Sequence, residues 1–474
     1  MNIGYCFRLS IVTLKYNKKT IGIVLNKFLS VSLCIFLIQY SQCVLANVND
    51  LQKIIELAQQ QDSVYQSAFH KYSSDKEFYT QARSRFMPTI SYHYSNTETD
   101  QDVKESSNFL NPEGNDRFDT INHGVTIKQP LFDLEIWNRF QKSKSTVSRA
   151  ESEYLQAKQD LYLRTSEAYF LILEREDQLT TIRDEKTALN QHFAMAKQKK
   201  RAGLGRTVDV DTAEARYLEA VAKEIELESR LSDSLYALAE ITGSVMSNLM
   251  RLSENVSYQL PQPSNVETWV KQAKRINPDI IAKEQALLEA GYEVDARRTK
   301  HYPTVNLTYT NGNEDINDSI FSDPSNIDSQ RITLRLDVPL FEGFRINSNV
   351  KQALSDKYRA QEDLRRLQRE NERNVRDSFR RINASIMQIK ALTRSMEAQD
   401  RMLKLKTRGY NAGRYTLLEV LDAQKDYSTQ IQARTKARYD YVLNIIRLKV
   451  TTGILTDTDI TQINSWLSMI SKPD

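Results

Sequence analysis

Apolar and polar residues alternate in four short segments of the chain, as they do in β-strands that have one apolar and one polar face. The clearest segment is residues 331–338, where every second residue is Ile, Leu or Val and Pro339 ends the run. The strands predicted from this pattern are about 88–98, 120–131, 303–311 and 330–340. The polar, turn-rich residues between the two members of each pair predict long loops.

Two much longer stretches have the pattern of α-helices. Between Asp133 and Gly203 there is neither Pro nor Gly, which permits a helix of about 70 residues and ~100 Å. Small and apolar residues recur in it at steps of three, four or seven, as in a coiled-coil seam. These residues are Val147, Ala150, Tyr154, Ala157, Leu161, Ala168 and Leu171. A second such stretch runs from about Ile346 to Asn411, and both are longer than a globular core can use.

The same series of segments occurs twice, which predicts an internal duplication. "RSRFMPTISYHYSN" (83–96) matches "RTKHYPTVNLTYTN" (298–311), and "RAGLGRTVDVDTAEARY" (201–217) matches "NAGRYTLLEVLDAQKDY" (411–427). With two further blocks, the offsets are 215, 209, 210 and 210 residues. We therefore predict two structural repeats, 47–260 and 261–474. Each has a helix (about 49–86 and 279–301), two strands, a long helix and another helix, and the second adds a C-terminal segment.

Residues 1–46 have the pattern of a secretory signal peptide. Basic residues precede an apolar run from Phe28 to Ile38, and "VLA" predicts cleavage after Ala46. An N-terminal anchor helix is the alternative, but the apolar run is short for a membrane span. All three cysteines lie in this segment, and no small residue precedes Cys43 as a lipoprotein cleavage site requires. We therefore expect neither a disulfide in the mature chain nor a lipid anchor.

Removal of the signal segment changes the charge balance. The segment holds five of the 65 basic residues and none of the 61 acidic ones, which leaves 60 basic against 61 acidic residues. This balance gives no electrostatic support to nucleic-acid binding.

The predicted strands are long enough to cross a bilayer at a tilt, although an ordinary half-buried sheet in a soluble domain would show the same alternation. Four strands cannot close a membrane barrel, which needs about eight. Either several chains share one barrel or the sheet is soluble. The signal segment, the strands and two helical hairpins of ~100 Å together favour a tube that is seated in a membrane and reaches through a periplasm.

Several stretches resemble the TolC family, the outer-membrane exit ducts of type I secretion and tripartite efflux. They are "QPLFDLEIW", "SEAYFLIL", "VPLFEGFRINSNVKQA", "RINASIMQI" and "GYNAGRYTLLEVLDA". The resemblance implies a mainly α-helical homotrimer whose four strands per chain form one twelve-stranded barrel in outer-membrane lipid, continued by a coiled-coil α-helical barrel into the periplasm. It also implies a passive channel that is gated at its periplasmic end and recruited by an inner-membrane transporter and a periplasmic adaptor.

The sequence motifs of common enzyme sites are missing. The chain contains no GxGxxG, no GK[ST], no HExxH and no GxSxG. The five histidines are scattered and lack the spacing of metal ligands. We therefore predict no catalytic residues, no cofactor and no metal site.

Two carboxylates, Glu419 and Asp422, lie three residues apart in the apolar segment "TLLEVLDAQ". Thr416 and Glu419 predict a capping box, in which each side chain bonds a free backbone N–H at a helix start. This accounts for Glu419 but not for Asp422, which aligns with Thr212 in the first repeat. The family resemblance implies that both residues form an acidic ring, a constriction where three chains converge, although a cap and a solvated helix face are the alternative.

The resemblance also implies contacts between the two helix pairs that keep the periplasmic entrance shut. The residues of this entrance lock are Asp209 and Tyr410, together with either Arg414 or Arg206, because the family's basic position aligns with Tyr415. Three other interpretations of the sequence remain: a coiled-coil protein outside the membrane, a periplasmic adaptor with long hairpins, and a lipid-anchored efflux duct. The sequence does not indicate whether the cargo is protein, drug or metal.

Overall fold

The computed structural model describes residues 49–105, 113–317 and 325–468 of the chain. This part is mainly α-helical, with one four-stranded sheet and one short two-stranded sheet. The helices are α1 (Leu51–Gln61), α2 (Ser63–Ser84), α3 (Leu134–Arg201), α4 (Thr207–Thr242), α5 (Val266–Ile276), α6 (Pro278–Arg298), α7 (Arg345–Asn411), α8 (Leu417–Thr452) and α9 (Asp457–Asn464). The strands are β1 (Thr89–Val103), β2 (Gly114–Phe132), β3 (Arg251–Leu252), β4 (Thr304–Asn317), β5 (Ser325–Asp337) and β6 (Leu467–Ser468). The predicted signal peptide lies outside the described residues.

The chain divides into two compact units, and nearly all described residues belong to the unit made of Asp50–Met246 and Met250–Asp474. The other unit is Met1–Asn49 with Ser247–Leu249. In its described part, Asn49 forms a parallel β-bridge with Leu249. The Asn49 side chain also donates a hydrogen bond of 2.9 Å to the carbonyl of Ser247.

The larger sheet is antiparallel, with the strand order β1-β2-β4-β5. Its strands extend several residues into the stretches that were predicted as loops, since β1 continues to Val103, where it pairs with Gly114. The prediction counted apolar alternation, whereas a ladder of backbone hydrogen bonds also tolerates polar side chains. In this polar part of the sheet, Arg117 of β2 pairs with Glu98 of β1. The fourth strand ends at Asp337 rather than near residue 340, because Pro339 cannot donate a ladder hydrogen bond.

Both outer strands of this sheet have an unpaired edge. Within the described ranges, β1 pairs only with β2 and β5 pairs only with β4. Large apolar side chains of these strands are exposed, including Ile90 (71%) and Ile332 (73%). Both edges of the sheet are therefore open, and its strands carry exposed apolar side chains.

The long helices α3 and α7 pass through two layers of helix packing. In the half next to the sheet, α3 lies between α2 and α6, and α6 lies beside α7. In the far half, α3 lies between α4 and α8, and α8 lies beside α7. The helices thus form a row, here called the wall, with α2 and α4 at one edge and α7 at the other. No helix within the described residues is both long and apolar enough to span a membrane.

The helices that precede each pair of strands are broken at one polar residue. Asp62 ends α1, and its carboxylate caps α2 by accepting a hydrogen bond of 2.6 Å from the backbone N–H of Tyr65. Asn277 does the same between α5 and α6, where it accepts from Ile280 at 3.1 Å. The prediction of one helix over 49–86 was therefore wrong at Asp62, since a side chain that accepts from the backbone competes with helix continuation. Helix α5 was not predicted at all. The elements follow one another in the same order in both halves, and the duplication itself stays a prediction.

Helices α4 and α8 end alike, at Gly243 (φ 76°) and Gly453 (φ 81°), in the left-handed conformation that favours glycine. Their surroundings differ. A Cβ atom on Gly243 would meet only the Gln61 side chain, at 3.4 Å. On Gly453 it would lie 2.6 Å from Cδ of Pro278 and 2.8 Å from Cα of Asn277. The end of α8 is therefore fitted tightly against the start of α6.

A buried polar network fixes α3 and α8 to the segment that follows α4. The Tyr439 hydroxyl donates to Asp177 at 2.6 Å, and Arg251 donates to the other oxygen of the same carboxylate at 3.3 Å. Burial raises the pKa of the Asp177 carboxyl above its usual range. Arg438, with 5% of its surface exposed, pairs with Glu254. Buried charges need such partners, so the two helices cannot separate here without exposing or orphaning them.

Candidate functional site

All six predicted site residues lie in or near two connections at the far end of the long helices. One connection joins α3 to α4 and the other joins α7 to α8. Both turn at a glycine with φ of 73°, Gly203 and Gly413. Both are closed by the same type of hydrogen bond, from Leu204 N–H to Lys199 O (2.9 Å) and from Arg414 N–H to Gly409 O (2.8 Å). The two hairpin tips therefore have one construction.

An apolar cluster joins the tip of α3 and α4 to the start of α8. Leu417 and Leu421 of α8 are 2% and 1% exposed and pack into it. The other buried members include Leu189 and Ala196 of α3 with Val210 and Ala213 of α4. This packing explains why Leu417 and Leu421 are apolar, whereas Leu418 is 48% exposed.

The predicted capping box at the start of α8 is confirmed. The Glu419 carboxylate accepts hydrogen bonds from the N–H of Thr416 (2.7 Å) and from its hydroxyl (2.8 Å). The Glu419 N–H donates to the Thr416 hydroxyl at 3.3 Å. The hydrogen bond from the Thr416 backbone, followed by that from its side chain, lowers the pKa of Glu419 below the usual range. Glu419 is therefore held as an anion at the tip.

Asp422 has a partner that the sequence prediction missed. Arg216 of α4 donates from Nη2 to the Asp422 carboxylate at 3.1 Å, in a half-exposed ion pair. The sequence contained a signal for this pair: in the predicted duplication Arg216 aligns with Asp426, so the charge at that position is reversed. The two carboxylates of the predicted acidic ring are thus engaged separately, Glu419 by a cap and Asp422 by a cation.

The two arginines considered for the entrance lock are now distinguishable. Arg206 binds Asp209 with contacts of 3.0 and 3.2 Å, which raises the pKa of the Arg206 guanidinium. Arg414 is exposed, and its side chain has no partner among the residues described. The pair of Arg206 and Asp209 lies within the first turn of α4, so in one copy of the chain it does not join the two helix pairs.

Tyr410, the remaining residue of the entrance lock, packs against the apolar cluster of the tips. The ammonium of Lys199 lies over its ring, 4.2 Å from the ring centre. Tyr415, which replaces the family's basic residue, lies against Gly409, where a Cβ atom would overlap its ring. The structure thus brings Asp209 and Arg206 together and places Tyr410 on Lys199 of the other hairpin.

A groove of about 370 Å³ opens beside the pair of Arg216 and Asp422. It lies between α3, α4 and α8, and its lining includes Glu185, Glu219, Lys425 and Ser428. Burial raises the pKa of Glu185. Within the described part of the chain, no group of three or more His, Cys, Asp or Glu residues could hold a metal ion. The chemistry of this end is therefore that of paired and capped charges.

Comparison with known proteins identifies outer-membrane channel proteins and secretion proteins as relatives. The profile of the outer membrane efflux protein family matches residues 46–244 and 269–453. The outer membrane protein TolC of Vibrio cholerae is 26% identical over 431 residues, which cover 90% of this chain and 93% of the relative. The proteases secretion protein PrtF of Dickeya chrysanthemi is 23% identical over 415 residues, covering 87% and 89%. The Campylobacter jejuni CmeC outer membrane channel has the same fold, with a TM-score of 0.76 and 17% identity over 88% of this chain and 90% of that one.

Proposed function

The chain belongs to the outer membrane efflux protein family, and we propose that three copies of it form one passive exit duct. It is a channel protein of the outer membrane, and its family is not a family of enzymes. The proposal concerns its assembly, its gate and its partners.

The observation that carries the proposal is the open sheet. The unpaired edges of β1 and β5 are antiparallel, so β5 of one copy can pair with β1 of the next and continue the same ladder. Three such copies contribute twelve strands, which is enough to close a membrane barrel. The exposed apolar side chains of the strands would then face lipid.

The helices at the two edges of the wall have opposite charge, which supports the same arrangement. Helix α4 carries nine acidic and three basic residues, whereas α7 carries 17 basic and eight acidic residues. Since α4 stands at the edge of β1 and α7 at the edge of β5, ring closure brings the acidic helix of one copy to the basic helix of the next. Complementary charge of this kind favours correct association over other contacts.

The test of this assembly is purification of the full chain from membranes. We expect it to require detergent, to have the mass of three chains by light scattering, and to conduct ions when it is placed in a planar bilayer. A soluble monomer without detergent would instead favour the coiled-coil protein outside the membrane.

At the periplasmic end we propose that Glu419 and Asp422 of the three copies form the acidic ring. Both lie near the hairpin tip, Glu419 is held ionised by its cap, and Asp422 is half exposed. The entrance lock is proposed to consist of Asp209, Tyr410, Arg206 and Arg414, of which the exposed Arg414 is free to reach a neighbouring copy. Opening would move the inner helix pair, α7 and α8, away from its neighbours.

Removal of the entrance lock should raise the conductance of the closed channel. Replacing Asp209 with Ala and Tyr410 with Phe removes a charge and a hydroxyl while the ring under Lys199 remains, so contacts between copies weaken and the packing is retained. Single-channel recording measures the effect, and we expect conductance several times that of the wild type. The matched control is Asp211→Ala with Tyr217→Phe on α4, which should conduct like the wild type. A closed-state conductance equal to that of the control would count against the lock.

The partners are proposed from the kinds of relatives found. PrtF and the alkaline protease secretion protein AprF of Pseudomonas aeruginosa are named for protein secretion, and CmeC is named as an outer membrane channel. We propose that this chain is joined in the periplasm by an adaptor and an inner-membrane transporter that supplies the energy. The pair that co-purifies with the protein would indicate whether the cargo is a protein or a small molecule.

A further inference from the structure

Four alternating charges form a network that joins α4 to α8 just behind the hairpin tips. Arg216 lies between two carboxylates, Asp422 of α8 and Glu219 of its own helix, each at 3.1 Å. Lys425 of α8 lies 3.7 Å from the other oxygen of Glu219. Two of these three contacts cross from α4 to α8, so this charge network links the outer and inner helix pairs within one copy.

The surroundings keep the charge network accessible to ions. Three of its members, Arg216, Glu219 and Lys425, line the open groove of about 370 Å³ between α3, α4 and α8. The Asp422 and Arg216 side chains are 49% and 30% exposed. Because these side chains are neither fully buried nor fully exposed, their charges act on ions in the nearby solution and also partly cancel each other.

The charges of the two ring residues therefore differ in effect. Glu419 accepts hydrogen bonds from its cap, but no ion pair to it is found among the described residues. Asp422 faces a guanidinium at hydrogen-bond distance. Counted over Asp422, Arg216, Glu219 and Lys425, the network carries two positive and two negative charges and is neutral.

We propose that Arg216 is a specificity-determining residue of the channel: by pairing with Asp422 it cancels one of the two charges that each copy contributes to the acidic ring. This inference rests on the proposed function, since it needs the ring. Its consequence is that the closed channel attracts cations mainly through Glu419. Loss of Arg216 exposes a second carboxylate in every copy, and the effect triples around a threefold ring.

Arg216→Gln in the full-length protein tests the inference. The reversal potential in a KCl gradient across a planar bilayer gives the ratio of cation to anion permeability. We expect this ratio to rise about threefold in the Arg216→Gln variant, because the field at a narrow mouth depends steeply on its fixed charge. The double variant Arg216→Gln with Asp422→Asn removes a neutral pair and should return to the wild-type ratio.

Arg230→Gln is the matched control, because Arg230 is also on α4 but forms its ion pair, among the described residues, with Glu226 of the same helix. It loses the same charge and should keep the wild-type ratio. Equal ratios for the wild type, Arg216→Gln and Arg230→Gln would overturn the inference. If Arg216→Gln does not assemble, Lys425→Gln removes the other cation of the charge network and should raise the ratio in the same direction, and an unchanged ratio there overturns the inference too. A wild-type protein that conducts no ions would instead reject the proposed function.

Discussion

Replacing Glu419 with Gln and Asp422 with Asn should abolish the cation preference of the channel. If three copies converge at the hairpin tips, the double replacement removes six carboxylates from the narrowest part of the duct. The local potential at such a mouth determines which ions enter, so the ratio of cation to anion permeability should fall to unity or below, because the double replacement also leaves Arg216 without its Asp422 partner. The reversal potential in a salt gradient measures this ratio, and block by divalent cations should disappear with it.

The control removes the same charge far from the tips. Asp75→Asn with Glu77→Gln alters two residues of α2 in the half of the chain next to the sheet. It should leave the permeability ratio unchanged. An unchanged ratio in the double variant at 419 and 422 would exclude the acidic ring, whatever the control shows.

The lowered pKa of Glu419 fixes how the charge of the proposed ring depends on pH. The hydrogen bonds from Thr416 lower the pKa of Glu419 because they favour its ionised form. Glu419 therefore stays charged at a pH where an ordinary glutamate titrates, and it loses its charge only when the pH falls through the lowered pKa. The double variant Arg216→Gln with Asp422→Asn, in which Glu419 is the remaining charge of the proposed ring, should keep part of its cation preference at a pH where a free glutamate would already be half protonated.

Gly453→Ala should be the most destabilising single substitution considered. It combines a left-handed backbone, which costs a non-glycine residue about 1–2 kcal/mol, with overlap against the backbone of Asn277 and the ring of Pro278. Overpacking of this kind adds 1–3 kcal/mol, so we expect a loss of about 3 kcal/mol in the local opening free energy. Hydrogen exchange of the backbone amides in residues 444–453 measures that quantity.

Gly243→Ala is the control, since it has the same backbone conformation at the end of α4. The added methyl group would meet only the flexible Gln61 side chain, so the loss should be about 1 kcal/mol. Equal losses of opening free energy in the two variants would show that the close approach of α8 to α6 does not affect stability.

The parts of the fold that depend on local pattern could be predicted from the sequence. The long helical stretches before Gly203 and Gly413 became the two long helices, and Thr416 with Glu419 formed the expected capping box. The family resemblance was also confirmed. These features depend on residues that are close in the chain or on motifs that span all of it.

The errors have physical causes that no local pattern contains. The break at Asp62 competes with a helix that its neighbours would otherwise continue, and the polar ends of β1 and β2 form strands because their backbones pair. Arg216 and Asp422 are 206 residues apart, and their pairing depends on how α4 packs on α8. The choice between Arg206 and Arg414 for the entrance lock stays a prediction.

The two unpaired strand edges also affect how the rate of duct formation depends on the concentration of chains. Backbone groups without partners are costly in hydrocarbon, so a single copy gains little by inserting its sheet into lipid before it meets two others. If the proposed trimer is correct, barrel formation depends on roughly the third power of chain concentration when chains are scarce. Halving the supply of chains would then reduce the initial rate of duct formation about eightfold, and the period between export and assembly would be the time at which the chain is most exposed to proteolysis and aggregation.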